Sequence, residues 1–189
     1  MASGKKSDST ARYDRALRDL FGRARKIKLL VMDVDGVMTD GTVWIAPNGD
    51  VSKRFHIRDG HGLVFLPPHG IQLAILSGRE DAATTRRAED LRIPYVIQGV
   101  RKKLPAAQAL AKKLKLTMDE IAFMGDDIND VPVIEAAGLG CAPADACREA
   151  KRAARFVAPH GGGQGALRDL AELLLKARGA WAKVVDDMR

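Results

Sequence analysis

Four short polar stretches carry residue types suited to moving a phosphoryl group. They are Asp33-Val34-Asp35-Gly36-Val37-Met38-Thr39-Asp40-Gly41, Ser77-Gly78-Arg79, the Lys102-Lys103 pair after Gly99, and Gly125-Asp126-Asp127-Ile128-Asn129-Asp130. Several carboxylates cannot crowd one crevice unless a cation offsets them. The donors are all oxygens, with no His or Cys among them, which points to Mg²⁺ rather than Zn²⁺. Mg²⁺ commonly takes one or two carboxylates, a count that Asp33 and Asp126 fit. One carboxylate can also be a nucleophile and form an aspartyl-phosphate. A second, two positions along an extended segment, lies on the same side and can protonate the leaving oxygen and then activate water. Asp33 and Asp35 have that spacing. Ser77 and Lys103 can hold phosphoryl oxygens and neutralise developing charge.

Taken singly, each stretch has a plainer explanation: a solvated turn for Asp-x-Asp, a helix cap for Ser77, surface for the lysine pair, a turn or partial calcium loop for Gly-Asp-Asp. Their positions argue otherwise, because each directly follows an apolar run. Residues 27–32 form a near-continuous apolar segment, as in a strand buried on both faces of a parallel sheet. Further strands are expected at 71–76, 95–98, 121–124, 138–142 and 156–157, and helices at 80–91, 104–114 and 166–176. Pro47-Asn48-Gly49-Asp50 separates two alternating segments, 42–45 and 51–55, which predicts a β-hairpin. Alternation of strand and helix from residue 27 argues right-handed βαβ units and a parallel sheet. Ligands of such a sheet bind outside the carboxyl ends of the strands, where all four stretches fall.

The four stretches resemble the motifs of the haloacid dehalogenase superfamily of phosphotransferases, over residues 27 to about 175. The resemblance is closer to one family, the 3-deoxy-D-manno-octulosonate 8-phosphate (KDO 8-phosphate) phosphatases, on FHIRDGHGL (55–63), SGR (77–79), QGVRKKL (98–104), GDDINDVPV (125–133) and GGGQGALRDL (161–170). It implies a Rossmann-like α/β fold with a mostly parallel sheet flanked by helices. It also implies a hairpin flap after strand one, no large cap domain, and a homotetramer with active sites near subunit interfaces. The implied activity is that of a phosphoric monoester hydrolase acting on KDO 8-phosphate in lipopolysaccharide precursor synthesis. The same chemistry on a sialic-acid-type 9-phosphate is the alternative, and Arg79 after Ser77-Gly78 leans toward KDO. By the same resemblance, Asp33 is the nucleophile and Asp35 the general acid/base, while Ser77 and Lys103 bind phosphate. Asp33, the backbone carbonyl of Asp35, and Asp126 hold Mg²⁺. Asp127 is expected to orient Lys103 or a metal-bound water, and Asp130 to support its loop. Thr39, Gly78, Arg79 and Arg87 are candidate substrate contacts, the arginines because a guanidinium fork suits a sugar-acid carboxylate. His56, His61 and His160 read as loop residues. Residues 161–165 are expected to be a flexible tail reaching toward a site. Two features depart from the family pattern: Lys102 stands beside Lys103, and Pro67-Pro68 shortens or kinks the helix expected after Asp59-Gly60.

A phospho-aspartate receiver module uses similar groups but in another order, with its acid pair at strand one and its phospho-Asp at a later strand. A non-catalytic relative of the fold is disfavoured while Asp33 and Asp35 both remain. The 189 residues suit one α/β domain, expected at 26–178, with a basic extension at 1–25 and a tail at 179–189. Residues 1–28 carry +6 of the net +7. Basicity is thus concentrated in the extension, where 1–10 reads as a disordered tail and 14–25 as a short amphipathic helix. With 5% aromatic residues and no nucleic-acid motif, nucleic acid is not an expected partner. No apolar run approaches a membrane span or a signal core. Two cysteines six residues apart make no disulfide framework, so a cytoplasmic enzyme is expected.

Overall fold

The computed structural model describes residues 8–189. Six parallel strands form one sheet in the order β5-β4-β1-β6-β7-β8: β1 Leu29–Met32, β4 Gln72–Leu76, β5 Tyr95–Ile97, β6 Ile121–Met124, β7 Leu139–Ala142 and β8 Phe156–Val157. A separate hairpin, β2 Trp44–Ile45 and β3 Val51–Ser52, follows β1. β1 and β6 lie centrally and are buried at every position, which is why both read as unbroken apolar runs.

Alternation along each strand builds two cores. Leu30, Met32, Leu73, Ile75, Ala122 and Met124 face one layer, which also contains Ala24, Leu63, Leu167, Leu170 and Leu174 from α1 Asp8–Lys26, α2 Ile57–Val64 and α7 Ala166–Ala177. Leu29, Val31, Ala74, Leu76, Ile121 and Phe123 face the other. There they meet α4 Lys103–Lys113, α5 Val131–Ala136 and α6 Arg148–Ala153. Each fully buried Leu, Ile or Phe stabilises the fold by about 1.5–3 kcal/mol relative to exposure. α3 Ala82–Asp90 begins at Asp81, whose side chain accepts from Thr84 N at 2.8 Å.

Four readings change. Residues 8–10, read as disordered, open α1, while 1–7 lie outside the described residues. The amphipathic stripe docks only through its C-terminal half: Ala24 is buried and Leu20 and Phe21 pack on the core, whereas Leu17 stays exposed. Residues 179–189, a tail by composition, contain α8 Trp181–Asp186, pinned by buried Val184 and by Arg168 stacked 5.0 Å over Trp181. The Gly161–Gly165 stretch is no free tail either. A Cβ on Gly162 would meet the Gly36 carbonyl at 1.9 Å, so only glycine lets this loop pack beneath the Asp33–Gly41 turn. Gly163 N donates to Val37 O, Gly162 N to Asp145 Oδ1 and Gly165 N to the buried Asp59 Oδ2. Pro67-Pro68 gives a 3₁₀ turn, Pro67–His69, just after α2. Among the described residues no helix is long and apolar enough to cross a membrane.

Candidate active site

The strand ends converge as their order requires. Asp33 follows β1, Ser77 follows β4 and Gly125-Asp126 follows β6. Lys103 opens α4 after β5, and a helical side chain leans toward its own N-terminus, here the crevice. The crevice holds about 250 Å³ and is lined by Asp33, Asp35, Ser77, Lys103, Asp126 and Asn129, with Gly41, Gly78, Arg79 and Asp127.

Lys103 is buried, 2% exposed, whereas Lys102 is exposed, so of the pair Lys103 is the lysine that enters. Its ammonium lies 2.7 Å from Asp33 Oδ2 and 2.6 Å from Asp130 Oδ1. Asp130 Oδ2 accepts from Asp126 N at 3.0 Å and Asp127 N at 3.3 Å. Asp130 therefore both orients Lys103 and ties the loop. Asp127 is not among the partners of the Lys103 ammonium, which are Asp33 and Asp130, and its Oδ1 accepts from Ile128 N at 2.8 Å. Ser77 is buried and its Oγ accepts from Arg79 N at 3.2 Å, while Asp81, not Ser77, caps α3.

Carboxylate oxygens of Asp33, Asp126 and Asp130 lie within 4.8 Å of one another. Burial, reinforced by the charge of Asp130, raises Asp33 to about 6. Burial, reinforced by Asp33 and then Asp130, raises Asp126 to about 7. Single-charged Lys103 does not offset three carboxylates, so the site favours a divalent cation. Both Asp130 oxygens are already committed to the chain, which leaves Asp33 and Asp126 as the available carboxylates, a set suited to Mg²⁺. Gly36 (φ +82°) makes room for this: a Cβ there would sit 2.1 Å from Asp126 Oδ2.

Thr39 and Arg87 are not brought to the crevice. Thr39 is fully buried, its hydroxyl accepting from Gly41 N at 3.2 Å and donating to Val34 O at 3.4 Å, so it closes the turn. Arg87 stacks 5.6 Å over Phe55 and points a nitrogen at His56 O, packing against the chain that enters α2. Two site residues were not legible singly. Asn129 lies inside the Gly125–Asp130 motif, whose carboxylates drew the attention. Lys53, just past β3, reaches Asp35 Oδ1 at 2.8 Å, and a lone lysine after a hairpin gives no signal in sequence.

The sheet and its acid-lined carboxyl edge are those of a haloacid dehalogenase-like hydrolase, and the model of that family matches residues 95–166. The chain is 38% identical over 167 residues to the 3-deoxy-D-manno-octulosonate 8-phosphate phosphatase of Escherichia coli (strain K12), covering 88% of this chain and 89% of that one. The Moraxella catarrhalis enzyme of the same name, solved with magnesium ion, phosphate ion and KDO, superposes with a TM-score of 0.89 at 35% identity, over 91% of this chain and 99% of that one. The cobalt-bound Haemophilus influenzae enzyme gives 0.82 at 38% identity, over 85% and 94%. The chain belongs to the 3-deoxy-D-manno-octulosonate 8-phosphate phosphatase family of haloacid dehalogenase-like hydrolases.

Proposed function

We propose that the chain is a Mg²⁺-dependent phosphatase that hydrolyses KDO 8-phosphate to KDO and inorganic phosphate in lipopolysaccharide precursor synthesis. The observation that carries this reading is the convergence of Asp33, Asp35, Ser77, Lys103 and Asp126 on one crevice, in a chain similar along most of its length to enzymes named for that ester. Asp33 and Asp126, with the backbone carbonyl of Asp35, would hold Mg²⁺. The bound ion offsets carboxylate charge and polarises a phosphoryl oxygen. Lys103, fixed by Asp130, and Ser77 hold the other phosphoryl oxygens. A carboxylate oxygen of Asp33 attacks phosphorus, the bond to the sugar oxygen breaks, and Asp35 passes its proton to that oxygen. Asp35 then takes a proton from the water that hydrolyses the aspartyl-phosphate.

Arg79, with 54% of its side chain exposed at the mouth, would pair with the sugar carboxylate. Trp44 and Ile45 on the hairpin, each 68% exposed, and Ile57, 77% exposed, are apolar side chains suited to packing against other copies in a homotetramer. Light scattering coupled to size exclusion reads that assembly directly. The free cysteines Cys141 and Cys147 suit a reducing cytoplasm. Phosphate release measured across a panel of sugar phosphates tests the substrate. KDO 8-phosphate is expected to give the highest kcat/KM, and preference for a nine-carbon acid or a hexose phosphate contradicts it.

A further inference from the structure

Lys53 sits just past the hairpin and has no exposed side-chain surface, yet none of the recognised motifs includes it. Its ammonium lies 2.8 Å from Asp35 Oδ1 and 2.7 Å from Asp81 Oδ2, and 3.4 Å from Thr84 Oγ1. Asp81 is in turn fixed at the start of α3 by Thr84 N. Three separate segments thus meet at one ammonium: the turn carrying Asp35, the exit of the hairpin, and the helix start that follows the Ser77–Arg79 turn. Burying an ammonium without partners is costly, so its placement between two carboxylates is a fixed feature of the fold. Among the described residues, the other cation paired with Asp35 is Arg79, at 3.8 Å and half exposed. Neither Asp35 oxygen accepts a hydrogen bond among the described residues, so the Lys53 ammonium, 2.8 Å away, is the closest group holding that carboxyl group.

We propose that Lys53 is a positioning residue for the acid/base step, holding the Asp35 carboxyl group where it meets the leaving oxygen. Because Asp81 shares the ammonium, Lys53 fixes the direction of the carboxyl group without adding a full unshared charge beside it. The inference rests on the assignment of Asp35 as acid/base above. In the step concerned, an oxygen of Asp33 bonds to phosphorus, the phosphorus–oxygen bond to the sugar breaks, and the proton of Asp35 goes to the departing alkoxide. A sugar alkoxide needs that proton; a 4-nitrophenolate does not.

The test compares kcat/KM, which reports only steps through the first irreversible one, for KDO 8-phosphate and 4-nitrophenyl phosphate. Lys53→Met should lower the value for the sugar ester by about 30-fold or more and leave the aryl ester within about threefold. Lys53→Arg keeps the charge and should show the same bias at smaller size. A merely structural role lowers both esters together, and such a uniform loss in either folded variant, or no loss in either, overturns the proposal. Circular dichroism and thermal melting identify the folded variants. A parent enzyme that ignores KDO 8-phosphate but cleaves another alkyl phosphate overturns the substrate assignment alone, and the Lys53 comparison is then made on that ester.

Discussion

At the amino edge of the sheet a cleft of about 1100 Å³ is lined by Arg25, Lys26, Lys28, His69, Glu120 and Arg178. At the carboxyl edge the crevice around Asp33 holds about 250 Å³. The larger cleft is rich in cations, and several of them are tied to the chain. Arg178 donates to Ile27 O and His69 O, and Arg25 Nε to Ala177 O at 2.7 Å. The Lys28 ammonium, 2.6 Å away, holds Glu120 down at about 2. These groups stitch helix ends to strand starts. In the crevice the pattern reverses: burial and like charge push Asp33 and Asp126 up, and one buried lysine leaves carboxylate charge uncompensated. Chemistry belongs where buried like charges crowd and raise one another's pKa, and volume is a poor guide to that place.

Substitutions at the two edges should therefore separate activity from stability. Asp33→Asn removes the attacking oxygen and is expected to lower turnover by about 10⁴-fold or more with the fold intact; activity within tenfold of the parent contradicts its role. Chelation with EDTA should bring phosphate release to background and Mg²⁺ should restore it, whereas restoration by Zn²⁺ alone contradicts an all-oxygen site. Lys103→Met should cut kcat by about 10²–10³-fold through loss of phosphoryl charge stabilisation. At the other edge Arg178→Met should leave kcat/KM unchanged while costing about 2 kcal/mol of stability, because buried carbonyls lose their donor. A melt of that variant matching the parent, or a fall in its activity, breaks the contrast.

The smallest effect is in pH. Asp33 and Asp126 titrate near 6 and 7 in the fold but at about 3.9 in an unfolded chain. Between these values the folded chain binds more protons, so the metal-free protein loses this contribution as pH rises from about 4 through 7. Mg²⁺ needs the ionised carboxylates, so the rise in Tm it produces should be several degrees larger at pH 7.5 than at pH 5. Scanning calorimetry at both values checks this, and an equal rise contradicts it.

The sheet was legible because β1 and β6 are buried on both faces and leave uninterrupted apolar runs, and the motifs follow those runs directly. Contacts made across the fold were not. Asp130 rather than Asp127 holds Lys103, a difference of three residues within one loop that only the path of the chain decides. Thr39 and Arg87 are of the right type but turn into the protein, and Lys53 reaches Asp35 only because the hairpin folds back over β1's turn. Residues 161–165, expected from the resemblance to be a flexible tail, instead pack closely, as glycine permits.

Soaking a crystal with Mg²⁺ and vanadate puts both edges to the same question. The account predicts vanadium bonded to a carboxylate oxygen of Asp33, with Ser77 and Lys103 on its equatorial oxygens and the cation between Asp33 and Asp126. Vanadate lodged among Arg25, Lys28 and Arg178, with the Asp33 crevice empty of metal, would contradict it.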